Sequence, residues 1–115
     1  MFDFQKLDVY QKAKTFNIEI RKLITEKNLD RITNDQLRRA AFSVMLNIAE
    51  GSSRFGSRDR KNFMVIARGS VFECVAVLEY LKDTSEIDET EYQHFYGMLE
   101  EISKMLFSLI RKLGE

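Results

Sequence analysis

Residues 36–54 read QLRRAAFSVMLNIAEGSSR, and the fold is decided by how that stretch is read. Leu37, Ala41, Val44 and Ile48 recur at intervals of three and four, the spacing of one face of an α-helix. Small residues (Ala40, Ala41, Ser43, Ala49) are interleaved with them, so a second helix can approach closely. The run ends on Glu50-Gly51, where a left-handed helix cap suits glycine. Its charge is lopsided, with Arg38, Arg39 and Arg54 against Glu50. A tightly packed helix ending in a basic corner predicts architecture plus one binding surface, not a catalytic centre.

The same periodicity extends in both directions. Val9, Ala13, Phe16, Ile20 and Leu23 predict a helix over about 5–27, with a turn at 28–33. The central helix is expected over 35–53, capped by Asn34 or Asp35. GSSRFGS at 51–57 is the strongest break in the chain. Ser57 is the expected cap of a third helix over 58–83, carrying Phe63, Ala67, Val71, Cys74, Leu78 and Leu81. Asp88 with Glu91 has the spacing of a capping box, and Ile87 with Tyr92 that of a hydrophobic staple. Tyr92, Phe95, Leu99, Ile102, Leu106, Leu109 and Leu113 then alternate by three and four through a fourth helix over 89–113. Four stripes joined by short turns predict an all-α fold, an antiparallel up-down-up-down four-helix bundle formed by one domain over 1–115.

Composition agrees with this pattern. The 115 residues include no proline and five glycines, so nothing forces a break inside a helix. Cys74 is the single cysteine, which excludes an internal disulfide framework and a cysteine-cluster zinc site and fits a reducing, cytoplasmic setting. The apolar run 63–81 is interrupted by Arg68, Glu73 and Glu79, so no membrane span is expected. Net charge is zero but segregated: +1 over 1–37, +5 over 38–68 and −6 over 69–115. The middle of the chain can attract an anion.

Candidate catalytic groups are few. His94 is the sole histidine, off the stripe of its helix, and reads as a surface residue. Cys74 lies inside an apolar stripe, where a thiol packs rather than reacts. Glu89, Glu91, Glu100 and Glu101 lack the Glu-x-x-His pairs of a di-metal bundle, so neither metal nor other cofactor is expected. No phosphate-binding, dinucleotide or nucleophile motif is present. The chain reads as a non-enzyme with no small-molecule substrate.

Two features point outward. Arg38 and Arg39 form one basic patch, and Arg54, Arg58, Arg60 and Lys61 form another at the far end of an antiparallel pair. Ordinary solvated arginines and a nucleic-acid surface both account for them. Phe55, among those arginines, either stacks on a base or tucks under its turn. The third helix carries more apolar surface than one seam needs, including Val65, Phe72 and Ala76, and a self-association interface is expected there. A wide core-facing stripe is the alternative. Gly69-Ser70 inside that helix suggests close approach to Ala40, Ala41 or Ser43, while Asn47 is either a buried specifier or a local kink.

LDVYQKA at 7–13, RRAAFSVMLNIAEGSSR at 38–54 and FMVIARGSVFECVAVLEYL at 63–81 resemble the four-helix bundle proteins encoded in intervening sequences of bacterial 23S ribosomal RNA genes. Accessory proteins of diversity-generating retroelements are relatives in that family. The resemblance implies a ring-like homopentamer, a link to structured RNA or to a nucleic-acid enzyme through a basic surface, and no catalytic activity. A protein–protein adaptor without a nucleic-acid role is the alternative.

Overall fold

The computed structural model describes residues 1–114. Among them a single turn of 3-10 helix, Asp3–Lys6, leads into four α-helices: α1 (Asp8–Lys27), α2 (Arg31–Ser52), α3 (Ser57–Asp83) and α4 (Glu89–Gly114). Each helix packs on its neighbours in order, and α4 returns to α1, giving a square bundle of 44 × 25 × 21 Å. The α2–α3 seam is the most extensive and the α1–α4 seam the thinnest. The predicted stripes form one continuous core in which Phe16, Ile20, Leu37, Ile48, Leu78, Leu99, Ile102 and Leu106 are fully buried. Leu109 and Leu113, at the end of α4, are half-buried, and so is Phe63, whose neighbour Met64 takes the core position.

The helix ends are where propensity and structure part company. Helix α2 starts four residues before the expected 35, because Asp30 is the cap rather than Asn34 or Asp35. Its carboxylate accepts from the Thr33 amide (3.0 Å) and hydroxyl (2.6 Å). Asn28, at φ 51°, closes α1 in the left-handed conformation. The α3 cap is Gly56, which offers no side-chain bond, and Ser57 is already helical. Helix α3 ends in a Schellman arrangement around Ser85 (φ 63°): the Glu86 amide donates to the Leu81 carbonyl and the Ser85 amide to that of Lys82. Asp88 and Glu91 form the expected capping box, each side chain accepting from the other's amide (2.7 and 2.9 Å). Ile87 and Tyr92 are both buried, as a staple requires.

Gly51 does a different job from the one expected. No glycine among the described residues has positive φ, and Gly51 is a buried residue inside the last turn of α2. A Cβ placed there would lie 2.8 Å from the Phe63 Cβ and 2.9 Å from the Met64 Cε. Gly51 is therefore a contact point that lets α3 press against α2 just beyond their connecting turn. Farther along the same seam the Ser43 and Ser70 hydroxyls share a 2.6 Å hydrogen bond. Gly69, expected to provide the close approach, faces open space, and Ser70 provides it instead. The Asn47 amide donates to the Ser43 carbonyl (2.8 Å) and hydroxyl (3.0 Å), so it both bonds its own helix and feeds the inter-helix pair. Asn17 ties α1 to α2 by donating to the carbonyls of Ala13 (2.9 Å) and Ala41 (2.8 Å). The thin α1–α4 seam is laced by Lys12–Glu101 (2.5 Å), Glu19–His94 (2.7 Å) and Lys27–Glu91 (3.1 Å).

Two outcomes follow. Gly51→Ala gains helix propensity of about 1 kcal/mol but forces overpacking that costs about 1–3 kcal/mol. Chemical denaturation should show net destabilisation, whereas Gly69→Ala, with nothing within 4 Å of the added methyl, should be neutral or stabilising. The Thr33 hydroxyl and amide hold the Asp30 carboxyl below its ordinary value. A depressed carboxylate stabilises the fold above its unfolded-state pKa, and the contribution disappears as pH falls through the folded-state pKa. Asp30→Ala should therefore lower the melting temperature at neutral pH, and the gap from the unmutated protein should narrow in acid below the usual carboxylate range.

Candidate functional site

The antiparallel topology places the α2–α3 turn, the first turn of α3 and the last turn of α4 at one end of the bundle. Arg54, Arg58, Arg60 and Lys61 come from the first two, and Arg111 and Lys112 from the third. The 3-10 turn and the start of α1 lie at the same end and add Lys6 with Asp3 and Asp8, so among the described residues seven basic side chains there face four acidic ones, Asp3, Asp8, Glu50 and Asp59. The opposite end carries Glu26, Asp30, Asp83, Glu86, Asp88 and Glu89 around Lys27, Arg31 and Lys82. Charge is thus separated along the 44 Å axis, and a polyanion is drawn to one end and repelled from the other.

The basic side chains at that end are not equivalent. Arg54 turns inward: its guanidinium pairs with Glu50 at 2.8 Å and lies 4.7 Å above the Phe63 ring. Arg60 donates through Nε to the Arg54 carbonyl at 2.5 Å and so pins the turn. The Lys61 ammonium lies against Gly114 at the C-terminal end of α4, where the helix dipole favours a cation. Arg58 is exposed and, among the described residues, has no ion pair or side-chain hydrogen bond. Phe55 does not tuck under the turn. It is fully exposed. The sequence reading overlooked Arg111 and Lys112, although basic residues in the last turn of a helix antiparallel to α3 are signal enough to place them here.

Arg38 and Arg39 lie elsewhere, roughly 24 Å along α2 from Arg54 at 1.5 Å per residue. Arg38 joins Lys14 and Arg21 around a shallow groove between α1 and α2, whose floor includes Ile18, Phe42 and Met45. On the opposite side of the square, α3 and α4 enclose a groove of about 470 Å³ lined by Phe72, Val75, Ala76, Tyr96 and Leu99, with Glu79, Glu100 and Lys104 at its edges. Val65, Phe72 and Ala76 are all exposed, on one stripe of α3, and Val65 and Phe72 are each about half-accessible (48% and 57%). In the single chain this surplus therefore faces solvent instead of widening the core. Arg68 lies over the rings of Phe72 (4.8 Å) and Phe107 (5.5 Å), extending the same face.

Groups able to do bond chemistry are scattered. Cys74 is buried, and desolvation, with a smaller contribution from Glu73, pushes its thiol up to about 12. His94 bonds Glu19 on the thin seam, a partner the sequence did not reveal because the two residues are 75 positions apart. No group of three or more His, Cys, Asp or Glu side chains that could hold a metal occurs among the described residues. Nor, among the described residues, is any helix long and apolar enough to cross a membrane.

Comparison with known proteins agrees with this architecture. A protein of unknown function from the S23 ribosomal protein family of Bacteroides thetaiotaomicron VPI-5482, with a crystal structure at 1.70 Å resolution, superposes with a TM-score of 0.83. The two share 27% sequence identity over 89% of this chain and 97% of the other. No curated protein matches the chain. The profile of the 23S rRNA-intervening sequence proteins matches residues 5–108, nearly the whole bundle. The chain therefore belongs to the 23S rRNA-intervening sequence protein family.

Proposed function

We propose that this protein is a non-catalytic homo-oligomer that binds structured RNA, or a nucleoprotein partner, through its basic end. The observation that carries the reading is the segregation of charge along the bundle, with Arg54, Arg58, Arg60, Lys61, Arg111 and Lys112 gathered from two separate helix ends. The oligomer is supported by the two opposed side faces. Three cations rim the apolar α1/α2 groove, and Glu79 and Glu100, with Lys104 as the one cation, flank the larger α3/α4 groove. Contact between unlike faces is heterologous and closes into a ring when the rotation allows, and the family resemblance gives five as the number of copies. Cyclic symmetry then sets every basic end on the same rim, where weak contacts multiply. In this assembly Arg38 serves the side interface, and Arg54 to Lys61 serve the ligand. A buried single thiol fits a cytoplasmic setting. The adaptor reading draws on the same acidic-edged groove, occupied by a basic protein instead of a second copy.

Light scattering coupled to size exclusion should give a mass of several chains for the unmutated protein. Phe72→Arg should give one chain with unchanged helicity. A mass of one chain for the unmutated protein at micromolar concentration overturns the assembly. RNA affinity should fall steeply with salt, by about 0.7–0.9 log–log units per phosphate neutralised. Arg58→Gln, Arg60→Gln and Lys61→Gln combined should flatten that slope and weaken binding without dissociating the oligomer. Absence of RNA binding even at low salt leaves the adaptor reading in its place.

A further inference from the structure

The turn between α2 and α3 exposes an aromatic ring that the fold itself does not use. Phe55 is fully accessible and, among the described residues, pairs with no other aromatic ring or cation. Its immediate neighbours are Arg54, Gly56, Ser57 and Arg58. Turns of this kind are ordinarily built from glycine, serine and aspartate. The turn is also firmly held. The Ser53 and Arg54 amides donate to the Glu50 and Gly51 carbonyls (3.1 and 3.2 Å), the Ser53 hydroxyl donates to Glu50 (2.6 Å), and the Arg60 side chain grips the Arg54 carbonyl. The ring therefore stands out from a fixed platform, so little ordering entropy is lost when something packs on it.

We propose that Phe55 is a base-stacking residue and that the ligand it selects is RNA with unpaired nucleotides, in a loop, bulge or single-stranded tail, over continuous duplex. This rests on the reading that the basic end binds RNA and adds the class of RNA. Two physical arguments favour a nucleobase over a protein side chain. Protein hot spots sit inside an apolar patch that excludes water, whereas Phe55 is an isolated ring among polar and cationic groups. A flat aromatic face flanked by a free arginine matches a base and its adjoining phosphate. Duplex RNA keeps its bases stacked, and its deep major groove is closed to side chains, so Phe55 gains a partner only where a base is splayed out. Arg58, one helical turn or less away and without a protein partner, is the residue to meet the phosphate.

The test compares, at low salt, a hairpin RNA with an unpaired loop and a fully paired duplex of equal length, using the full-length protein. The unmutated protein should bind the hairpin more tightly. Phe55→Ala removes a side chain that touches nothing in the fold, so the protein stays folded and assembled. It should lose about five- to one-hundred-fold in hairpin affinity, the equivalent of one stacked base, with duplex affinity unchanged. The chain contains no tryptophan, so Phe55→Trp supplies a single reporter. Its emission should be quenched by the hairpin and not by the duplex. Hairpin affinity unaffected by Phe55→Ala, or an equal loss on both RNAs, overturns the stacking role and leaves the charge-based reading standing. Failure of the unmutated protein to bind either RNA overturns both.

Discussion

The α2–α3 seam is the constraint on which the rest of the molecule depends. Gly51 removes a side chain where the two helices first meet, and Ser43 and Ser70 pair where they continue together. A hydroxyl pair this short, in a half-buried setting, satisfies two polar groups that would otherwise cost free energy to bury. The close contact also fixes the path of the intervening turn, because the last carbonyls of α2 are answered by Ser52, Ser53 and Arg54 and by nothing more distant. The turn in turn sets where Arg54, Phe55, Arg58 and Arg60 stand. The same packing that closes the core therefore arranges the charged end, and a change at Gly51 would be felt at both.

Helix positions were legible in the sequence because burial in a bundle is a matter of periodicity, and periodicity survives without knowledge of partners. Every residue of the α1 and α2 stripes is buried as the spacing requires. The ends were harder. Arg31 to Asn34 lack the apolar pattern that marks a core-facing turn, so the true start of α2 was set by a single aspartate and its bonds to Thr33. Gly51 illustrates a different ambiguity. A glycine at a helix end is compatible with a left-handed cap and with a tight contact, and only the position of Phe63 on the next helix distinguishes them. At Gly69 the opposite error arose, since the neighbouring serine was the residue that reached across the seam. Met64 takes the core position, while Phe63 lies against Gly51 and beneath the Arg54 guanidinium, a contact between residues nine apart that no helical pattern encodes.

The candidate site divides along the same line. The cluster at 54–61 is contiguous in sequence and was visible as a run of charge. Arg111 and Lys112 join it solely through topology, since they close a helix whose composition is otherwise acidic. Arg38 and Arg39 share the sign of the cluster but not its place, and their distance along α2 separates them from the end. Sequence charge counts treat all of these alike. The fold sorts them by end and by face, and it also discounts those already engaged: Arg54 by Glu50 and Phe63, Arg60 by a backbone carbonyl.

This sorting gives the molecule two kinds of surface with different physics. The sides are apolar with a few charges, and association through them would gain chiefly from removing apolar area from water, a term that screening by salt does not weaken. The ends are charged and wet, and the phosphates of a polyanion bound there would be held by forces that salt weakens. In the proposed assembly, self-association and ligand capture would therefore respond differently to salt and draw on different residues. A bundle with its apolar surplus at an end would bury its charged residues on assembly and pay their desolvation. Here the surplus of Val65, Phe72 and Ala76 runs along α3 and faces sideways, at right angles to the direction in which the basic end faces. In the proposed assembly, neighbours can pack side by side while the Phe55 turn of each copy stays in water, so each end keeps its own preference for a ligand and repetition around the rim multiplies it.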